Sequence, residues 1–196
     1  MKKLFSVIIL AFSLSLVSFA QKPVWTIHAG GLASSYYAKY YDTWLNQGFS
    51  GYFAGVEASV PINSNGFSIL SGLNLDHKKL TKYNRTGITL NYLRVPVHIM
   101  FSAPISVTED FFFSLGPSVN IGLFDDKKIT VDPHQGYLSK PMKINRIHAQ
   151  IGFTAGVVFS EHLKFSVGYD LGVTKGVDSH LSNRINALHG SIGYSF

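Results

Sequence analysis

The chain contains no cysteine. That absence excludes disulfide frameworks, thiolate zinc sites, iron–sulfur clusters, thiol nucleophiles and lipid attachment through a cysteine. Charge is also scarce, at 14% of 196 residues, against roughly 25% in a typical soluble domain. Beyond residue 20 no stretch is apolar for long enough to make a spanning helix, which takes about 20 such residues. In place of charge stand 15 Phe, 10 Tyr, 2 Trp and 18 Gly. A hydrophobic fraction of 46% argues against disorder, which needs low hydrophobicity and high charge.

Residues 1–20 read as a secretory signal peptide. Lys2 and Lys3 form the positive start, Leu4 to Val17 the apolar run, and Ser18 and Ala20 the small residues before a cleavage site. Ser6, Ser13 and Ser15 interrupt the run, which speaks against a membrane anchor. Cleavage after Ala20 leaves 21–196 as one domain, with 15 basic and 11 acidic side chains.

That domain alternates with a period of two, the signature of a strand with two different faces. Leu163, Phe165, Val167, Tyr169, Leu171 and Val173 oppose Lys164, Ser166, Gly168, Asp170, Gly172 and Thr174. Windows 147–159 and 113–123 repeat the pattern, and less regular strands are expected at 24–34, 49–60, 67–78, 87–102 and 184–196. Pro96 and Pro117 fall inside strands and are expected to mark bulges or rim positions. The intervening gaps alternate: 35–48, 79–86, 125–145 and 175–183 are long, whereas 61–66, 103–110 and 160–162 are short.

Eight antiparallel strands with long outer loops and short periplasmic turns predict an all-β, eight-stranded transmembrane barrel of the outer membrane. Hydrocarbon leaves no water for an open sheet edge, so the sheet must close. The competing fold is a soluble lipocalin-like barrel with the apolar face inside. The polar faces are rich in Gly, Ser, Asn and His and poor in Lys and Glu, which favours the membrane barrel, since a solvated face carries more charge. Ile192, Tyr194 and Phe196 alternate up to an aromatic terminus, resembling the assembly signal that barrel-assembly machinery reads.

The inward set comprises His28, Glu57, Asn74, Arg94, His98, Asn120, His148, Gln150, Asp170 and His189. It can be a proton path, a metal site or a conduit. The favoured reading is a packed polar plug, because eight strands enclose a lumen that side chains fill and buried polar groups must pair. His28 and His189, on strands that meet on closure, make a poor metal site, since zinc takes three or four protein ligands. No cofactor is implied.

The long connections carry Lys78, Lys79, Lys82, Arg85, Lys127, Lys128, Lys140, Lys143 and Arg146, with Lys39, Lys175 and Arg184 nearby, against six acids that include Asp76. Such a basic rim suits lipopolysaccharide phosphates, or is a set of solvated loop lysines. Nucleic acid is not an expected partner, given export. Tyr36, Tyr37, Tyr40, Tyr41 and Trp44 make the first loop aromatic, which favours an interfacial girdle over a partner surface. His189-Gly190-Ser191 superficially matches the His and Ser of small lipid A deacylases. No acid follows and both residues face inward, so an enzyme is not expected.

Tyr92-Leu93-Arg94-Val95-Pro96-Val97-His98-Ile99 resembles the Tyr-Leu-x-[Ile/Val]-Pro strand of PorT-like outer-membrane β-barrel proteins of Bacteroidetes-type Gram-negative bacteria. Gly116-Pro117-Ser118, before Asn120-Ile121-Gly122, is similar to that family's next strand, and the terminal Tyr194-Ser195-Phe196 agrees. Arg94 departs from the acidic or neutral residue expected there. The resemblance implies an integral outer-membrane barrel. It offers two roles: a surface scaffold acting through its loops, or an accessory of type IX-like secretion with a secretion or envelope protein partner. A lipid-modifying enzyme is the third reading.

Overall fold

The computed structural model describes residues 22–40, 43–62, 65–82, 85–123, 128–130, 141–175, 177–178 and 183–196. The expected signal peptide lies outside them. Eight long strands close into a barrel: β1 (Val24–Tyr40), β2 (Thr43–Pro61), β3 (Phe67–Lys82), β4 (Arg85–Pro104), β5 (Glu109–Gly122), β8 (Ile147–Phe159), β9 (Leu163–Gly172) and β11 (Asn183–Ser195). Neighbours pair antiparallel in the order β1-β11-β9-β8-β5-β4-β3-β2. Three short strands, β6 (Lys128–Thr130), β7 (Pro141–Ile144) and β10 (Val177–Asp178), form a separate small sheet centred on β7.

The stagger of the barrel follows from its register. A path of paired residues runs from Ile62 through Phe67, Phe101, Phe113, Ala155, Val167, Gly190 and Gly31 to Tyr52. It returns to β2 ten residues from where it began, as tilted strands in a closed barrel require. Seam closure joins the first and last strands over Thr26–Ala38 and Asn183–Ser195. Phe196 extends it by exchanging backbone hydrogen bonds with Trp25 at 2.8 and 3.1 Å.

The alternation sorts the side chains as a membrane barrel requires. Leu73, Leu75, Ile99, Leu115, Ile151, Val167, Leu171, Leu188 and Ile192 stand exposed on the outer wall. Asn74, Arg94, Asn120, His148, Gln150 and Asp170 are buried inside. A soluble barrel would have the reverse arrangement. Among the described residues no helix is long and apolar enough to cross a membrane; crossing is by strands.

Three expectations need correction. Gaps 35–48 and 79–86 are not open loops: β1 and β2 stay paired to Tyr40↔Thr43, and β3 and β4 to Lys82↔Arg85. The gaps 125–145 and 175–183 hold the small sheet. Pro96 and Pro117 sit within the barrel wall and mark no bulge there. Pro96 faces Ser118, Pro117 faces Ile151, and the register continues unshifted past both. Pro96 lacks a donor, but its carbonyl accepts a hydrogen bond from Ser71 Oγ at 2.9 Å. The register shifts instead between Leu80 and Lys82.

Candidate functional site in the lumen and at the outer rim

Inward positions on all eight barrel strands build the polar interior. In its middle layer, Arg94 Nη1 on β4 donates to Asp170 Oδ2 on β9 at 3.0 Å, across the lumen. Arg94 Nε lies 3.5 Å from Asp76 Oδ1, and Lys78 Nζ lies 3.5 Å from Asp76 Oδ2. His189 Nε2 stands 3.7 Å from Asp170. Arg94 also covers the Phe53 ring at 5.1 Å, and Lys78 the Tyr92 ring at 5.2 Å.

Nearer the short turns a second ion pair crosses the lumen, from Lys164 Nζ on β9 to Glu57 Oε2 on β2 at 3.5 Å. Glu57 faces His28 Nε2 at 3.5 Å, and that nitrogen donates to Asn74 Oδ1 at 2.6 Å. His98 Nδ1 lies 3.3 Å from Ser114 Oγ. Towards the other end, Asn120 Nδ2 donates to Gln150 Oε1 at 2.7 Å, and Gln150 Nε2 to the Ile185 carbonyl at 2.8 Å. His148 meets Tyr92 edge to face.

The named charges balance: Glu57, Asp76 and Asp170 against Lys78, Arg94 and Lys164. Such balance matters because an unpaired charge in a poorly solvated interior is costly. A cavity of about 30 Å³, counted over positions open to a water centre, persists among His28, Glu57, Arg94, His98, Lys164 and His189. That is room for water. Inward glycines make space for the network. A Cβ on Gly152 would stand 2.3 Å from Asp170 Oδ1, and one on Gly168 would stand 2.4 Å from His189 Cε1.

Every residue of the expected inward set lies inside. Alternation also points to three members missing from that set. Lys164 is in phase with Ser166, Gly168 and Asp170, and Asp76 and Lys78 are in phase with Asn74. Lys78 corrects the basic rim: it is buried at 3% relative exposure, as is Asp76. Their departure together leaves the net charge expected of the rim unaltered. His28 and His189 each meet Phe53 edge to face. Among the described residues no group of three or more His, Asp or Glu is placed to hold a metal ion. Ser191 is bonded to Ser166 at 2.7 Å, on the inward side.

At the rim, Lys79 and Arg146 are exposed, with Arg146 Nε donating to the Gly122 carbonyl at 3.3 Å. Lys82 pairs in register with Arg85, and Lys128 with Lys143. Lys127 and Lys140 lie outside the described residues. Of the aromatic set, Tyr36, Tyr37, Tyr40 and Trp44 fall in the β1–β2 ribbon, and Tyr41 lies outside the described residues.

An apolar wall around a charge-satisfied polar lumen, closed by eight antiparallel strands, defines an integral barrel of the outer-membrane type. Residues 19–177 match the model of the outer membrane protein beta-barrel domain family, and the chain belongs to it. It is a protein of the outer membrane. Its structure is similar to that of Ail, the attachment invasion locus protein of Yersinia pestis, at 12% identity and TM-score 0.51, covering 90% of this chain and 100% of that one. Neisserial surface protein A is similar at 13% identity and TM-score 0.48, covering 87% and 97%. OprG of Pseudomonas aeruginosa is similar at 13% and 0.48, covering 91% and 98%. At these identities the likeness concerns the fold. No curated protein sequence matches the chain.

Proposed function

We propose that this protein is a closed, non-enzymatic scaffold whose working surface is the part of the barrel and its connections beyond the bilayer. The observation that carries this reading is Arg94, bound to Asp170 across the lumen and facing Asp76 on the neighbouring strand. With Glu57–Lys164 crossing nearer the short turns, the lumen is spanned at two heights, which supports a plug rather than a pore. Function then falls to the outer elements: the β1–β2 and β3–β4 ribbons, the small sheet and the basic residues around them. Outer-leaflet lipopolysaccharide and an envelope protein are the partners such a surface fits. A PorT-like secretion accessory would be one use of this scaffold.

Planar-bilayer recording of the refolded protein tests the closed lumen. The expected result is no steady conductance of porin size; a stable ohmic channel overturns the reading. Lipid A mass spectrometry from cells with and without the protein should show identical species. Cargo measured in the medium after gene deletion separates the secretion role, which lowers it, from a general surface scaffold, which leaves it unchanged.

A further inference from the structure

The outer wall is uneven in height. On β3 the outward residues Phe67, Ile69, Leu73 and Leu75 are apolar, with Ser71 among them donating to the Pro96 carbonyl, and His77 and Lys79 follow. Eight residues of tilted strand cover roughly 20 Å along the membrane normal. On β5 the apolar outward series runs from Phe111 to Leu123, and twelve residues cover roughly 30 Å. A stagger of ten residues over eight strands offsets level positions on neighbouring strands by about 1.25 residues. On that footing Ile121, Leu123, Ile147 and Val173 on the far wall stand level with His77 and Lys79. One side of the barrel is therefore polar at a height where the other is apolar.

The polar side is built. Tyr52 on β2 stacks on His77 on β3, with ring centroids 4.7 Å apart and 21° between planes. His77 Nδ1 lies 2.8 Å from Asn91 Oδ1 on β4. Tyr52↔His77 and His77↔Asn91 are register partners, so the three side chains form a row across the sheet. Lys79 projects from the next outward position of β3, beside Ser50 and Thr89. Among the described residues no acid pairs with Lys79, and the neighbouring Asp76 is turned into the lumen against Lys78 and Arg94.

We infer that the row Tyr52–His77–Asn91, with Lys79 above it, is a binding site for the phosphate of an outer-leaflet glycolipid. A phosphate there finds the Lys79 ammonium, the Asn91 amide N–H and the Tyr52 hydroxyl, arranged around a ring already held on two sides. Beneath it, Leu73, Leu75 and Val56 offer an apolar wall to the acyl chains. The headgroup brings the polar boundary down on the side where the apolar band is short. The site deepens the scaffold reading and rests on it only for the outer surface being the working one. It does not depend on the closed lumen, which conductance tests separately.

The experiment is native mass spectrometry of the full-length barrel in detergent, titrated with diphosphoryl lipid A or with the dephosphorylated glycolipid. Folding of each variant is checked by its heat-dependent gel shift. The diphosphoryl lipid should bind about tenfold more tightly, the scale of one or two charged contacts at a membrane surface. Lys79→Glu combined with His77→Gln should erase that preference, Lys79→Arg should keep it, and Lys22→Gln, at the short-turn end, should leave it unaltered. Equal binding of the two lipids, an unaffected double variant, or displacement of the lipid by millimolar inorganic phosphate would each overturn the proposal.

Discussion

Replacing Arg94 by Met removes a guanidinium that touches two buried carboxylates and leaves a side chain of similar length. Arg94, Asp76 and Asp170 are 7%, 3% and 3% exposed, so water cannot fully take over. Breaking a buried ion pair by removing one partner costs about 3–5 kcal/mol. Two features set this case at the lower part of that range. Asp76 keeps Lys78 at 3.5 Å, and Asp170 keeps His189 at 3.7 Å. The lost contact with Phe53 at 5.1 Å adds back about 0.5–1 kcal/mol. The expected destabilisation is therefore about 3–4 kcal/mol. In the double variant Arg94→Met/Asp170→Asn, Glu57 and Asp76 face Lys78 and Lys164, and the lumen is again balanced. Its cost should fall short of the sum of the two single variants by at least about 1 kcal/mol, a coupling typical of direct partners. The assay is reversible urea unfolding in lipid vesicles, followed by tryptophan emission; Trp25 is exposed on the outer wall and reports lipid contact. A single variant within about 1 kcal/mol of the wild type would refute the reasoning, as would a double variant whose cost is the sum of the two singles.

Two further outcomes follow from the packing and the wall. Gly152→Ala, whose Cβ would stand 2.3 Å from Asp170 Oδ1, should cost about 1–3 kcal/mol in the same urea assay. Gly31→Ala, whose Cβ would meet only a carbonyl at 4.0 Å, should stay near zero; equal effects would show that the inward glycines are not spacers. On the lipid face, Val167→Arg lies mid-wall and should cost about 2–4 kcal/mol, whereas Val173→Arg near the outer edge should cost at most about 1 kcal/mol. Reversal of that order, measured by vesicle refolding, would mean the apolar band is misplaced.

Much of this molecule is legible in one dimension because alternation is a local property. A strand turns successive side chains to opposite faces, so Leu163, Phe165 and Val167 against Lys164, Ser166 and Gly168 already separate wall from lumen. The C-terminal alternation ending at Phe196 likewise marks the seam strand. Strand ends were less legible. The β1–β2 ribbon carries its pairing through Tyr36, Tyr37 and Trp44 to Tyr40↔Thr43, in a stretch where no periodic signal separates a paired ribbon from an aromatic loop. The placing of Asp76 and Lys78 in the outer rim is overturned for a related reason. Their charge suggested solvent, but their phase with Asn74 places them inside, where each found an opposite charge.

Alternation and composition alone define the class of protein: a chain of alternating strands, apolar outside and polar inside, that lipid forces into a closed sheet. Which polar groups meet is set by the closing of the barrel. Arg94 and Asp170 are 76 residues apart in the chain, and Glu57 and Lys164 are similarly remote. Their encounters depend on the ten-residue stagger, which sets the height at which each strand delivers its side chains. Local alternation tells a residue which face it occupies; closure alone tells it whom it faces.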